Sequence, residues 1–288
     1  MTPSEPSKID VNGNIHTDFE KAFQDAYQFQ YSMGHWGTTY RLVTYDVEFV
    51  TYYVGDLVLP SGHLVACDPG VRADFEYAFT QTIQPGRYPI ILSLAGFKPE
   101  IPSLPSPKNS IFNVLNRAFR KNQNVPGPFR RIACAMLKVT QQKPVRWEVA
   151  FLNLDWSAEY QNYGVDSATG CFMDVEIGRR LKQLGEANPD EEWDEALNRL
   201  RAQFYEPLMN ERRKNKTADV NNEYPYDSKG NWANRCIDEE TGANVIVFGS
   251  GWGDGGDASY WGYDADGNIA CLMTDFALFG SDDEDDEE

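Results

Sequence analysis

The residues best suited to chemistry in this sequence form a glycine-rich stretch near its end. Residues 248–257 read FGSGWGDGGD and contain the pattern G-x-G-x-x-G. In dinucleotide-binding folds this pattern opens a helix whose N-terminus holds a pyrophosphate. Residues 258–266 favour a strand and a hairpin instead, and Asp254 and Asp257 would repel phosphate. We therefore reject nucleotide binding by this mechanism. The stretch is either a structural turn between strands or a loop that meets a ligand or partner.

As a binding loop, this stretch would present Ser250, Trp252 and Asp254. Tyr260 and Trp261 follow on the next predicted strand. Together with Trp252 they would supply the apolar wall of a site for a small ligand. On this interpretation the chain is a small-ligand sensor.

Five aspartates stand at the predicted ends of strands or in turns, namely Asp68, Asp166, Asp174, Asp254 and Asp275. Carboxylates that converge can bind Ca²⁺ or Mg²⁺ or act as an acid–base pair. Isolated aspartates serve equally well in turns and caps. A metal-assisted hydrolase that uses Asp68, Asp174 and Asp254 is therefore one hypothesis, although the sequence identifies neither a metal nor a cofactor.

Signals for a nucleophile are weaker. Ser61 lies in a Pro-Ser-Gly turn, and the chain has no G-x-S-x-G elbow. Cys171 is far in sequence from each of the three histidines, His16, His35 and His63. Ser61 is most simply a turn residue and Cys171 a buried thiol.

Two short segments of the chain resemble each other. Residues 60–68 and 166–174 each contain a serine followed seven places later by an aspartate, Ser61 with Asp68 and Ser167 with Asp174. A turn that leads into a short strand ending in a carboxylate would produce both segments. Chance similarity is the alternative, because two matched positions cannot establish a duplication.

Helical patterns are few. Thr17 with Glu20 predicts a capping box before a helix whose apolar face extends to Tyr27, and a second helix begins at Ser110. A third covers residues 175–184 and ends at Gly185. A fourth is predicted to start at Asn188-Pro189 with Glu191 as its capping partner and to end or bend at Pro207; its apolar stripe is Trp193, Leu197, Leu200 and Phe204.

Strand patterns fill much of the remainder, at residues 45–59, 63–67, 88–94, 132–139, 145–152, 244–248 and 269–276. Asp266-Gly267 predicts a hairpin turn, and residues 211–232 a long surface loop. Because the strands come in adjacent groups without regular helices between them, we expect an α+β fold. Its core would be a mainly antiparallel, sandwich-like β-sheet with a few flanking helices.

Length and composition fit one folded domain. The chain has 288 residues, of which 41% are hydrophobic and 13% aromatic. We expect a single domain over residues 17–280, a flexible N-terminus at 1–16 and a disordered acidic tail at 281–288.

The chain is strongly acidic. It has 44 Asp and Glu against 26 Lys and Arg, for a net charge of −18, and residues 282–288 are all acidic. This balance argues against binding to nucleic acid or to an anionic membrane surface, both of which need a basic footprint. It suits a soluble protein, or one whose partner is basic.

Targeting signals are lacking. Residues 1–8 are polar, and apolar stretches such as 245–248 are far shorter than the roughly 20 residues of a membrane helix. The five cysteines, at positions 67, 134, 171, 236 and 271, are widely spaced and form no C-x-x-C pair. We expect a cytoplasmic protein with reduced thiols.

Several short blocks in this order resemble an uncharacterised bacterial family catalogued as domain of unknown function 4241. They are LPSG at 59–62, VACDP at 65–69, PGRYP at 85–89, GVDS at 164–167, GCFMD at 170–174, SGWGDG at 250–255, YWG at 260–262 and TDF at 274–276. The family has no established activity, so the resemblance indicates only which loops matter. Ala168 stands where the family pattern leads us to expect glycine.

Three functions are compatible with these observations. We favour a soluble acidic binding or antagonist protein, of which an immunity-type inhibitor of a basic toxin or nuclease is one form. The metal-assisted hydrolase and the small-ligand sensor are the alternatives. For each of these functions we expect residues 61–68, 166–174 and 250–254 to lie together at one rim of the sheet. The sequence does not indicate the oligomeric state.

Overall fold

The structure is a computed structural model. It describes residues 17–36, 40–71, 75–100, 127–153, 162–188, 191–217 and 231–279, without the side chains of residues 35, 36, 40, 41, 216 and 217. The N-terminus at 1–16, the helix predicted from Ser110 and the acidic tail at 281–288 lie outside the described residues.

Strands dominate the described part of the chain. They are β1 (Gln28–Trp36), β2 (Tyr40–Leu59), β3 (Leu64–Cys67), β4 (Gly86–Pro99), β5 (Phe129–Lys138), β6 (Arg146–Val149), β7 (Asn162–Val165), β8 (Thr169–Asp174), β9 (Trp232–Cys236), β10 (Asn244–Gly249), β11 (Gly255–Tyr263) and β12 (Ile269–Asp275). The helices are α1 (Phe19–Ala22), α2 (Val175–Leu184), α3 (Trp193–Leu200) and α4 (Glu206–Thr217), with a π-helical turn at Arg201–Tyr205 between α3 and α4.

Within the described residues the strands form two antiparallel sheets. The large sheet has eight strands in the order β1-β2-β4-β5-β12-β11-β6, and β7 pairs with another part of β11. The small sheet has the order β3-β8-β10-β9. This architecture confirms the predicted α+β fold with a mainly antiparallel, sandwich-like core.

The small sheet lies between the large sheet and the helices, so both of its faces are buried. Leu64, Phe172 and Phe248 pack in a core shared with the large sheet. Their neighbours Val65 and Met173 pack in a second core with α2, the π-helical turn and α4. Burial on both faces explains why β8 and β10 read as continuous apolar runs rather than as alternating patterns.

A third core covers the outer face of the large sheet. Phe19 and Ala22 of α1 pack there with Phe97, Tyr260 and Met273. The short helix α1 thus closes part of a face that would otherwise be open.

The first helix differs from its prediction. Asp18, not Thr17, is the N-cap, because its carboxylate accepts a hydrogen bond from the Lys21 N–H at 3.1 Å. The helix ends after four residues. Ala26 adopts a left-handed backbone conformation (φ 62°), and the Ala26 N–H bonds to Phe49 of β2. Tyr27 therefore belongs to the entry of β1.

The helical region after β8 is predicted in part. Helix α2 has the predicted bounds and ends at Gly185. Helix α3 begins at Trp193 rather than at Pro189, and the Trp193 side chain is 58% exposed instead of packed. Glu191 does accept hydrogen bonds from Asn188, at 2.8 and 2.9 Å, but upstream of the helix.

The chain stays helical through Pro207. In the preceding π-helical turn the Glu206 N–H bonds to the Arg201 carbonyl. The wider turn changes the hydrogen-bond register just before Pro207, which has no N–H to donate.

Two other expectations need correction, and two strands were not expected. The predicted loop at 211–232 is helical up to Thr217 and ends inside β9, and β6 is shorter than predicted. The sequence pattern does not predict β1 and β9, because both are edge strands with polar residues such as Gln, Asn and Arg. The Asp266-Gly267 turn between β11 and β12 is confirmed.

In the described part of the chain no helix combines the length and apolar character needed to cross a membrane.

Candidate functional site

The segments that carry the sequence motifs lie on neighbouring strands of the small sheet. Strands β3 and β8 are antiparallel, with Leu64 opposite Asp174 and Cys67 opposite Cys171. We call the two ends of this sheet the Asp68 end and the Asp174 end. Residues 166–168 and 250–254 meet at the Asp68 end, whereas Ser61 lies with Asp174 at the other end.

Asp68 is fully buried and accepts four hydrogen bonds. The Ser167 N–H and hydroxyl donate to it at 2.7 Å each, the Asp166 N–H at 2.8 Å and the Gly70 N–H at 2.6 Å. Both carboxylate oxygens are engaged. Asp68 thus fixes the turn that leads into β8.

Asp174 plays the same part for the turn that leads into β3. It is fully buried and accepts hydrogen bonds from the Ser61 N–H at 2.9 Å and the Ser61 hydroxyl at 2.8 Å. It also caps α2 by accepting from the Glu176 N–H at 2.9 Å.

These two contacts explain the resemblance between the two sequence segments. The serine of each segment binds the aspartate of the other, Ser61 with Asp174 and Ser167 with Asp68. We call this arrangement the reciprocal serine–aspartate clasp. It follows from the antiparallel pairing of β3 and β8, which places the start of each strand at the end of the sheet where its partner stops.

Asp275 is a third buried carboxylate with several donors. The Thr17 hydroxyl and N–H donate to it at 2.7 and 3.0 Å, and the Ala277 N–H at 3.0 Å. It anchors the start of α1 to the end of β12. This contact is why Thr17 does not cap α1.

This geometry does not support acid–base or metal chemistry by Asp68, Asp174 and Asp254. Asp68 and Asp174 lie at opposite ends of the small sheet, and both are saturated with hydrogen-bond donors. Asp254 is exposed and accepts from the Ala168 N–H at 3.0 Å. Across the described ranges no three His, Cys, Asp or Glu side chains are grouped so that they could hold a metal ion.

The glycine-rich stretch is a tight loop followed by a strand. Gly255 is the first residue of β11, so the stretch does not open a helix, as a dinucleotide fingerprint requires. The Ser250 hydroxyl bonds to the Gly253 carbonyl at 2.8 Å, and the Gly253 N–H bonds to the Ser250 carbonyl at 2.7 Å. Gly251 has φ 46°, and a Cβ there would lie 2.7 Å from Phe276 Cβ, so glycine is required.

Ala168 links this loop to the turn before β8. Its carbonyl accepts from the Ser250 N–H at 3.3 Å, and its N–H donates to Asp254. Ala168 has φ 51°, the left-handed conformation that glycine adopts most easily. The backbone thus explains why glycine is expected at this position and why alanine is a departure.

Trp252 is held in place while half of it stays open to solvent. Its side chain is 50% exposed, and its indole N–H donates to the Leu278 carbonyl at 3.3 Å. Its ring contacts Phe97 and Phe129, each with a centroid separation of 5.9 Å. The Arg131 guanidinium lies 5.8 Å from the ring centroid. Sequence reasoning missed Arg131, which lies 121 positions away and carries no local signal.

The loop that carries this tryptophan and the turn before β8 both present exposed side chains at the Asp68 end. We call Asp166, Ala168, Trp252 and Asp254 the Trp252 surface; all four are exposed and lie on two loops joined by hydrogen bonds. It combines an aromatic ring, against which the Arg131 guanidinium lies, with two carboxylates on a fixed backbone.

Tyr260 and Trp261 do not belong to this surface. Both are buried, and because they are adjacent on β11 they face opposite sides of the large sheet. Trp261 packs against Phe79 between the sheets, at 5.8 Å, and Tyr260 lies near Phe19 on the outer face, also at 5.8 Å. The apolar wall expected from Trp252, Tyr260 and Trp261 therefore does not form.

Sequence reasoning also missed the environment of Asp257. Asp257 of β11 lies opposite Tyr163 of β7 in the strand register. Neither Asp257 Oδ2 nor the Tyr163 hydroxyl has a hydrogen-bond partner among the described residues. Burial, with a smaller contribution from the charge of Asp275, raises the pKa of Asp257 to about 8. Its place on the inward-facing side of β11, in register with Ser259 and Trp261, is the signal that would have revealed it.

All five cysteines lie within the described residues, and none of them forms a disulfide. Cys67 and Cys171 face each other across β3 and β8 with their sulfurs 3.5 Å apart, and both are buried. Cys134 and Cys271 are also buried, and Cys236 is exposed. Cys171 is thus the buried thiol that the sequence predicts.

A family model described as protein of unknown function (DUF4241) matches residues 57–274, which is most of the chain. The chain belongs to the DUF4241 family. The matched region contains the reciprocal serine–aspartate clasp and the Trp252 surface. No match is found among the curated proteins or among the solved structures.

Proposed function

We propose that this DUF4241 protein is a soluble acidic binding protein that captures a basic partner protein through the Trp252 surface. An antagonist of the immunity type, which neutralises a basic toxin or nuclease, is the form of this function that we favour. The cytoplasm is its proposed location, since five cysteines outside any disulfide suit a reducing compartment.

The observation that carries the proposal is the half-exposed Trp252, on a loop that also carries the exposed Asp254 and is hydrogen-bonded to the turn that carries Asp166. Tryptophan is among the residues that contribute most to binding energy at interfaces. The carboxylates suit Arg or Lys side chains of a partner, since charge-assisted hydrogen bonds are stronger than neutral ones. The loops are held by internal hydrogen bonds, so little conformational entropy is lost on binding.

The charge of the whole chain supports a basic partner as well. A net charge of −18 attracts a basic protein over a distance of about one Debye length, roughly 10 Å at moderate salt. The same charge disfavours nucleic acid as the partner.

Affinity capture with three baits tests this function. The first bait is the wild-type chain, and the second carries Asp166→Asn, Trp252→Ala and Asp254→Asn. The third carries Trp193→Ala, Asp194→Asn and Glu195→Gln on the exposed start of α3, which removes the same charge and one exposed tryptophan.

The wild-type and α3 baits are expected to retain the same basic protein from a lysate of the source organism, and the Trp252-surface bait to lose it. Retention should weaken between about 50 and 150 mM salt, because electrostatic attraction is screened. Recovery of no partner, or of acidic partners alone, would overturn the proposal. Thermal unfolding of each bait establishes that all three are folded.

A further inference from the structure

A cavity on the helical side of the small sheet has a charge opposite to that of the whole molecule. It lies between α2, the π-helical turn and β9 and has a volume of about 630 Å³. Of the described residues that line it, none is acidic, although the chain has 44 Asp and Glu. Its polar lining consists of three arginines and three amides, Arg180, Arg199, Arg235, Gln183, Asn188 and Gln203.

The three arginines are not equivalent. Arg199 is fixed, because it donates to the Leu184 and Glu186 carbonyls at 2.9 and 2.7 Å and pairs with Glu191. Arg180 makes one exposed contact with Asp238 at 3.3 Å, which is a weak restraint.

Of the three, Arg235 is the arginine that no carboxylate in the described ranges neutralises. It projects from β9, and no carboxylate of the described residues forms an ion pair with it. The cavity therefore keeps a positive charge when its other two arginines are paired. A guanidinium group presents a planar fork of donors that fits a carboxylate or phosphate group.

The floor of the cavity is apolar. Leu181 and Phe204 are buried beneath it, and Ile237 lies beside them. Phe204 and Gln203 enter the cavity from the π-helical turn, a feature found frequently at functional sites. The volume is within the range of roughly 300–1,000 Å³ that is usual for small-molecule sites.

We infer that this cavity binds a small organic anion, with the carboxylate or phosphate group at Arg235 and the apolar part against Leu181 and Phe204. The amide side chains at the rim supply further donors and acceptors. This site is separate from the Trp252 surface, so either assignment stands without the other.

Cys236 provides a readout specific to this site. It lines the cavity, and it is the one exposed cysteine of the five in the chain. A bound ligand therefore slows the reaction of Cys236 with a thiol reagent such as a maleimide, while the four buried cysteines stay silent.

The experiment measures the rate of Cys236 labelling in the full chain at constant ionic strength. The probes are phenyl phosphate, inorganic phosphate and the neutral phenol. Phenyl phosphate at up to about 10 mM is expected to slow labelling at least about fivefold, inorganic phosphate to slow it less, and phenol to have no effect. Equal protection by inorganic phosphate would overturn the apolar part of the site, and equal protection by phenol would overturn the anionic part.

Variants test whether the protection of Cys236 depends on Arg235. Arg235→Gln is expected to abolish protection by phenyl phosphate, and Arg235→Lys to keep part of it because the charge remains without the fork. Arg179→Gln is the matched control, since Arg179 is exposed on α2 but does not line the cavity. Equal protection of wild type and Arg235→Gln, or no protection of wild type, contradicts the inference. Circular dichroism of each variant checks the fold, and the lysine variant carries the test if the glutamine variant does not fold.

Discussion

Asp68 and Ser167 position the backbone on which the Trp252 surface is built. Asp68 fixes the N–H groups of Asp166 and Ser167, and the next residue, Ala168, holds Asp254 and Ser250. A buried carboxylate therefore acts on the exposed loop through a chain of hydrogen bonds, without itself meeting a partner.

Replacing this carboxylate tests its structural role. Asp68→Asn places an amide NH₂ group against N–H and O–H donors in a buried site. We expect the free energy of unfolding to fall by about 3 kcal/mol, as when a buried network to a charged group is broken. Urea denaturation measures this change. Asp166→Asn on the exposed side of the same turn should change it by less than about 0.5 kcal/mol. Equal effects of the two variants would contradict the role of Asp68.

Asp257 makes stability depend on pH in an unusual direction. Its folded pKa of about 8 is above the ordinary value of about 3.9. Between these two pH values the folded state keeps a proton that the unfolded state has released. The contribution of Asp257 to the free energy of unfolding therefore falls as pH rises through this window, by at most about 1.4 kcal/mol per pH unit, and levels off above about pH 8.

Asp257→Asn removes this dependence. The free energy of unfolding of the variant, relative to that of wild type, is expected to rise from about pH 5 to about pH 8. Urea denaturation of both proteins at several pH values measures this difference. The exposed Asp254→Asn is the control and should show no such trend. A constant difference between wild type and Asp257→Asn across this range would show that Asp257 is ionised throughout.

Helix α2 packs closely against the segment at Phe75. Gly178 lies on its buried face, and a Cβ there would clash with the backbone carbonyl of Phe75. In an exposed helix, alanine in place of glycine stabilises by about 1 kcal/mol.

In α2 we expect the opposite effect of this substitution on the free energy of unfolding. Gly178→Ala should lower the free energy of unfolding by about 2 kcal/mol, because the helix must move away from the Phe75 segment. Thermal or urea unfolding checks this, with the exposed Arg179→Ala as a control that stays near wild type. Stabilisation by Gly178→Ala would mean that α2 does not pack against residue 75 as described.

Helices and strands could be predicted where the residues that determine their ends lie within or next to them in the sequence. Helix α2 has a capping aspartate and a terminal glycine in its own sequence, and its bounds are those predicted. The predicted N-cap of α1 was wrong because Thr17 binds the distant Asp275 instead of capping the helix. The π-helical turn has no sequence signature that separates it from an α-helix ending at Pro207.

The candidate site shows the same division between local and distant signals. The motif positions Ser61, Asp68 and Asp174 are visible in the sequence. Their pairing is not, because Asp174 binds a serine 113 positions away and depends on how β3 and β8 align. The burial of Tyr260 and Trp261 likewise depends on which faces of β11 are covered.

At the scale of the whole molecule, the three layers leave the Trp252 surface at one end of the small sheet. The anion-binding cavity proposed beside Arg235 lies on the helical side of that sheet. The two proposed binding sites have opposite charge preferences, and variants that affect one are expected to leave the other unchanged.

The affinity of the captured basic protein for the two matched triple variants tests the central claim most directly. Isothermal titration with the purified partner is expected to give a Kd at least about 30-fold weaker for Asp166→Asn/Trp252→Ala/Asp254→Asn, the loss typical of a central tryptophan anchor. The Trp193→Ala/Asp194→Asn/Glu195→Gln variant should stay within about threefold of wild type. Equal affinities for the two variants would mean that charge alone, and not the Trp252 surface, holds the partner.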